Sequence, residues 1–264
     1  MLGAILGDII GSPYEFASNK TKNFPLFVPE CRPTDDSLMT VAVGCACVRA
    51  DIEDELDFKR QLIRLMREIG RQYPNAGYGA SFYNWLMSDS APAYGSYGNG
   101  SGMRVSPVAW VASSLSEAER LAKWSAEVTH NSEEGIVGAQ AVAAAVYLAR
   151  KGASREKIRA YTEEHYYSLD FTLDSFRPAY RFDVTCAGSV PQAIVCFLES
   201  ASYEDAVRNA VSLGGDGDTL AAMAGAVAEA FYGIPEELEE KALCYMDDVL
   251  TDYYTEYADE LYSY

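Results

Sequence analysis

The sequence is short of histidine, of basic residues and of paired cysteines, and each shortage narrows what the protein can be. Only two histidines are present, His130 and His165, so a histidine-rich zinc site cannot be assembled and catalysis would rest mainly on carboxylates. Lysine and arginine number 21 against 39 acidic residues, a formal net charge of −18. That balance argues against general nucleic-acid binding and against docking on an anionic membrane, while leaving a local basic pocket open. No segment stays apolar long enough to span a bilayer. The start, Met1-Leu2-Gly3-Ala4-Ile5, lacks the basic region of a signal peptide, and Asp8 interrupts its apolar run. The six cysteines, at 31, 45, 47, 186, 196 and 244, include no C-x-x-C pair. Free thiols in a reducing cytoplasm are expected.

What the sequence does have is helical spacing. With 264 residues, 49% of them hydrophobic, it can bury a large core. Apolar periodicity predicts helices over 2–11, 35–50, 55–72, 78–88, 102–113, 116–127, 133–151, 154–165, 187–200, 203–212, 217–232 and 236–247, with a further stretch after 248. The alanine-rich run from Ile136 to Leu148 is apolar nearly all round and suits a central helix. No strictly alternating segment reads as a strand, and no internal repeat or linker appears, so one all-α domain over 1–264 is expected. Four long connections stand out, at 14–33, 91–102, 168–185 and 214–218, and loops of such length in a helical domain often carry function.

Two of the acidic clusters sit at predicted helix starts. Thr34-Asp35-Asp36-Ser37 follows Pro33, and Asp216-Gly217-Asp218-Thr219 follows Gly214-Gly215. Each reads, alone, as an N-cap with acids in the first turn. Capping accounts for one acid in each. It does not account for two pairs, each flanked by a threonine, nor for the paired glycines. Four carboxylates and two hydroxyls are an oxygen-only donor set of the kind Mg²⁺, Mn²⁺ or Ca²⁺ prefers. If the two helix starts meet, a two-metal site is the economical solution; the residues alone leave capping and metal binding both open, and phosphate chemistry would serve such a site as well. Gly7-Asp8-Ile9-Ile10-Gly11 reads as a helix with small packing residues, with Glu15 in the loop beyond it. The glycine tract 95–102 followed by Met103-Arg104 matches no dinucleotide or Walker fingerprint.

In combination and order, the segments GAILGDIIGSPYE, PTDDS, GYGA, GSYGNGSGMR, THNSEEG and LGGDGDTLAAMAGA resemble the ADP-ribosylglycohydrolase family, which includes the dinitrogenase-reductase-activating glycohydrolases. The resemblance implies an all-α, orthogonal multi-helix fold around a cleft holding two Mg²⁺ or Mn²⁺ ions. It implies Thr34, Asp35, Asp36, Asp216, Asp218 and Thr219 as metal ligands, and Glu15 as the glutamate of a mobile flap over the site. Gly79, Ser96, Tyr97, Gly98, Asn99, Gly100 and His130 match substrate contacts, Tyr97 through a ring face against adenine. Glu15, Asp35 and Asp36 become the candidate catalytic carboxylates. Ser37, Gly102 and Gly217 depart from residues frequent in the family, and Asn75 stands before GYGA where arginine-specific members use an extra acid nearby, so the linkage stays open. The expected activity is hydrolysis of the N- or O-glycosidic bond joining ADP-ribose to a protein side chain or a small adduct, releasing ADP-ribose. The alternative is a non-catalytic ADP-ribose-binding, metal-binding or structural relative.

Overall fold

The computed structural model describes residues 1–262. The chain forms α1 (Leu2–Gly11), a single 3-10 turn (Ser12–Tyr14), α2 (Asp35–Arg49), α3 (Glu55–Gln72), α4 (Ala80–Met87), α5 (Gly100–Met103), α6 (Ser106–Val111), α7 (Leu115–Glu127), α8 (Glu133–Arg150), α9 (Arg155–His165), α10 (Leu173–Phe176), α11 (Cys186–Leu198), α12 (Tyr203–Val211), α13 (Gly217–Tyr232), α14 (Glu236–Leu243) and α15 (Asp248–Tyr262). Among the described residues there is no strand, only an isolated bridge between Gly98 and Thr185. The expected all-α fold is the observed one.

Capping side chains set many of the helix starts. Ser114, Ser132, Ser154, Thr185 and Ser202 each accept a hydrogen bond from a backbone N–H in the first turn. The helix expected over 102–113 is two short pieces instead, broken at Arg104–Val105. In an unbroken helix the ring of Pro107 would collide with the carbonyl four residues back. The 168–185 connection holds the one-turn α10, capped reciprocally by Thr172 and Ser175, and the last predicted helix ends early, at Leu243.

The centre is α13, which packs against α1, α8, α11 and α12. Every residue of α1 is buried. The two helices approach nearly backbone to backbone. A Cβ on Gly7 would lie 2.1 Å from the carbonyl oxygen of Ala221, and one on Gly11 would lie 2.4 Å from Asp218 Cα. Glycine is therefore required for this approach, and it delivers the end of α1 to the start of α13. The amino terminus locks the far end of the pair, donating to Glu229 Oε2 at 2.8 Å.

Gly7→Ala should cost stability despite alanine's better helix propensity. Overpacking against a backbone carbonyl costs about 1–3 kcal/mol, more than the roughly 0.5–1 kcal/mol that removing a helix glycine returns. Gly79→Ala, where a Cβ meets nothing within 4 Å, should change stability by less than about 0.5 kcal/mol. Urea denaturation of the two variants distinguishes them, and equal stabilities would contradict the close approach of α1 and α13.

Candidate active site

The four long connections meet at one cleft of ≈ 580 Å³, whose lining draws on Glu15 and Phe16, Gly95 to Gly100, Phe182 and Val184, and Asp216 and Asp218, together with Asp35, Asp36, Gly77 and Gly79. The bridge at Gly98 ties two of these connections together, with Asn99 N donating to Val184 O at 2.7 Å and Cys186 N to Tyr97 O at 3.0 Å. Gly214 and Gly215 take φ of 66° and 95°. These left-handed values turn the chain sharply into α13 and demand glycine.

Neither helix start is N-capped by its acids, although Asp218 Oδ1 accepts from Thr219 N at 3.0 Å within the first turn of α13. At α2 the cap is Thr34, whose Oγ1 accepts from Asp36 N. At α13 the N-cap residue Asp216 makes no side-chain cap bond; its Oδ2 instead accepts from Asn99 Nδ2 at 2.6 Å. The carboxylates turn to one another. Ligand atoms of Asp8, Asp36 and Asp218 lie within 4.8 Å of each other, as do those of Glu15, Asp216 and Asp218. Asp218 belongs to both groups and joins them. Thr219 Oγ1 donates to Asp36 Oδ2 at 3.2 Å across 183 positions of sequence. Asp35 belongs to neither group but lines the same cleft.

Burial and mutual repulsion hold these groups toward the neutral form. Asp36 is raised well above the ordinary carboxylate range by desolvation first, then by Asp8, Asp218, Asp35 and Asp216. Asp218 is raised by desolvation, then by Asp216, Asp8 and Glu15. Asp35 is pushed up to about 8 by burial and by Asp8, Asp216 and Glu15. Glu15 is pushed up to about 7 by burial and Asp216, with Arg32 opposing. Asp36 Oδ1 is buried with no hydrogen-bond partner. An orphaned carboxylate oxygen facing other acids is the environment a cation relieves, so the residues present fit divalent metal binding by oxygen donors.

Asp8 is the member that sequence reasoning passed over. It is fully buried, and its carboxylate accepts from Thr34 N at 2.8 Å, from Thr34 Oγ1 at 2.7 Å and from Ser37 N at 3.1 Å, with Ser37 Oγ as a further donor. It therefore fastens the Thr34–Ser37 turn to α1. An acid interrupting a helix buried all round was the signal that could have found it. The segment after Glu15 is fastened too: Lys20 Nζ donates to Tyr180 O at 2.8 Å, and Arg208 Nη1 to Lys22 O at 2.9 Å and Phe24 O at 2.8 Å. Its tip carries Phe16, 82% exposed, stacked on Phe182 with centroids 5.7 Å apart.

The expected substrate residues line the same cleft. Tyr97 presents an exposed ring, 58% accessible. Gly79 leaves open space where a side chain would be. The Asn99 amide is committed to Asp216 and Ser189, so that side chain braces the acidic cluster. Ser96 Oγ accepts from Gly98 N at 3.2 Å, and His130 is buried with Nε2 toward Gly98 and Gly100.

The family model for ADP-ribosylglycohydrolase matches residues 1–264. Among curated proteins, the mouse ADP-ribosylhydrolase ARH3 is 29% identical over 91% of this chain and 85% of its own. Its human counterpart is 28% identical over 95% and 90%. The ADP-ribosylarginine hydrolase Tri1 of Pseudomonas putida is 27% identical over 91% and 72%. A solved structure titled ADP-ribosylglycohydrolase-related protein complex superposes with a TM-score of 0.62 at 22% identity, covering 92% of this chain and 95% of that one, and so shares the fold.

The raised carboxylates carry a stability consequence. Between the unfolded value near 4 and the folded values of about 7 for Glu15 and about 8 for Asp35, the folded protein holds protons that the unfolded chain has released. Raising pH through that window therefore favours unfolding. In EDTA, stability should fall from about pH 4 to pH 8, and Asp35→Asn should flatten part of the fall. Thermal melts across that range check it; a stability that rises instead would contradict the repulsive cluster.

Proposed function

Because this chain belongs to the ADP-ribosylglycohydrolase family, we propose that it is a metal-dependent hydrolase, a single domain that cleaves the N- or O-glycosidic bond between ADP-ribose and a protein side chain or small adduct. The observation that carries the reading is the meeting of Asp36 and Asp218 in one buried acidic cluster, with one Asp36 oxygen left without a hydrogen-bond partner. A purely structural relative gains nothing from burying these acids together, since each raises the cost of ionising the others. The six cysteines are free thiols, which suits a reducing compartment such as the cytoplasm. No helix among the described residues is long and apolar enough to cross a membrane.

Two Mg²⁺ or Mn²⁺ ions held by Thr34, Asp35, Asp36, Asp216, Asp218 and Thr219 would supply positive charge to orient ribose hydroxyls and a water beside the scissile carbon. The chain's own residues do the rest. Hydrolysis breaks the glycosidic bond, the acceptor leaving with the bonding pair and taking up a proton. The water oxygen joins the anomeric carbon and gives its proton to a carboxylate. Glu15, Asp35 and Asp36 are the candidates for holding that proton, and Glu15, half-buried at the flap tip, has an affinity suited to acid–base work near neutral pH. Tyr97 offers an aromatic face for adenine. Gly79 and the backbone of 96–100 offer a close approach to the diphosphate and ribose.

Asp36→Asn and Asp218→Asn should each remove most hydrolysis of an ADP-ribosyl substrate. The loss should exceed the roughly 10–100-fold that removing an outer hydrogen-bond partner of a metal ligand costs. Mg²⁺ or Mn²⁺ should raise the melting temperature of the wild type by linkage and that of either variant much less. Full activity in EDTA with no metal-dependent melting shift would overturn the two-metal reading. Tyr97→Ala should weaken ADP-ribose binding by about 1–3 kcal/mol in a calorimetric titration, and an unchanged affinity would place the ring outside the adenine pocket.

A further inference from the structure

Arg104 is the one lysine or arginine among the residues lining the cleft, and it is fully buried. It forms no ion pair among the described residues. Its Nη2 donates to Ser125 O at 3.0 Å and to Thr129 Oγ1 at 2.8 Å, while its Nε is buried without a partner. The first bond satisfies a last-turn carbonyl of α7, an ordinary structural service. The second has a chemical consequence.

Thr129 Oγ1 lies 2.7 Å from His130 Nδ1, and one of the two atoms must donate. Toward Arg104 the threonine oxygen can only accept, because a guanidinium has no acceptor. The threonine proton then finds no acceptor among the described residues other than His130 Nδ1. Were the imidazole to donate instead, a buried hydroxyl proton would be left unpaired, which is unfavourable. Protonation of both ring nitrogens is opposed by burial and by the neighbouring Arg104 charge, which lower the histidine's proton affinity. The ring is thus neutral, bare at Nδ1 and protonated at Nε2. That Nε2–H makes no hydrogen bond to a described residue. It faces the glycine tract, where a Cβ on Gly100 would lie 3.0 Å from it and one on Gly98 3.7 Å.

We infer that Arg104 and Thr129 are positioning residues that fix His130 as an Nε2–H donor to an acceptor oxygen of the ADP-ribose moiety bound at the glycine tract. The inference deepens the proposed function and rests on it for the ligand. The order of donation runs from Arg104 to Thr129 and from Thr129 to His130. A tautomer set this way presents a donor to phosphate or hydroxyl oxygens and denies the same position to a donor group.

The test uses the full chain in a His165→Gln background, which leaves one imidazole. Long-range nitrogen–proton NMR correlations on the metal-free protein report the tautomer, and calorimetry reports ADP-ribose affinity. The wild-type ring should show a bare Nδ1 and a protonated Nε2. Thr129→Val, close in shape, should give mixed tautomers and about tenfold weaker binding, and Thr129→Ser should restore both. Arg104→Met, which removes the Nη2 donor shared by Ser125 and Thr129, should also mix the tautomers, with a thermal melt to verify folding. A merely structural role would lower stability without moving the tautomer. A proton on Nδ1 in the wild type, or a Thr129→Val variant with wild-type tautomer and affinity, would overturn the relay. A wild type that binds no ADP-ribose at all would overturn the functional reading instead, and the tautomer pattern would still decide the relay.

Discussion

The close packing of α1 on α13 is the constraint on which the rest of the molecule depends. Glycines at positions 3, 7 and 11 repeat every four residues, the spacing that lines one face of a helix. Each would place a Cβ inside backbone or side-chain atoms of α13, Gly7 against Ala221 and Gly11 against Asp218. Small residues here do more than fill space. They let two buried helices come within backbone contact, so that Asp8 of one and Asp218 of the other enter a single acidic cluster. Tyr203 closes the seam from α12 with a hydrogen bond of 2.7 Å to Gly3 O.

Stability and chemistry pull against each other at that cluster. Hydrophobic burial around α13 supplies the favourable term that lets the fold hold several acids out of water. Each of those acids is destabilised in its charged form by desolvation and by its neighbours. Asp8 is the partial exception. Its hydrogen bonds from Thr34 and Ser37 oppose burial, which still holds its carboxyl above the ordinary range, and they make it a brace between α1 and α2. Asp36 lacks that relief at Oδ1. The division fits a site in which some carboxylates hold structure and others stay available to a cation. Asn99 extends the bracing to Asp216 and so links the glycine tract to the acids.

Hydrogen bonds fasten the glycine tract that forms another wall of the cleft. Gly95 N donates to Asn131 Oδ1 at 2.7 Å, and Ser132 Oγ to Ser96 O at 2.7 Å. The segment that presents His130 therefore also shapes the glycine tract. The exposed Phe16 and Phe182 at the mouth contrast with this ordered wall.

Helix spacing, the oxygen-rich donor set and the sufficiency of carboxylates were legible in the sequence, because they depend on local periodicity and on residue chemistry. The helices at 2–11, 55–72 and 217–232 appear with the expected bounds, since their apolar periodicity is written within a few residues. The break at Arg104–Val105 was less legible, because a proline two residues into a helix can begin a new turn or interrupt an old one. Asp8 stayed hidden for a different reason: its role exists only once α1 meets the start of α2. The same holds for the pairing of Thr219 with Asp36, the commitment of Asn99 to Asp216, and the Arg104–Thr129–His130 chain. By itself the sequence determined which residues could carry oxygen-donor chemistry and which stretches would coil. Only the tertiary structure decided which of those acids share one dielectric pocket, because electrostatic coupling depends on separation in space, and separation along the chain says nothing about it.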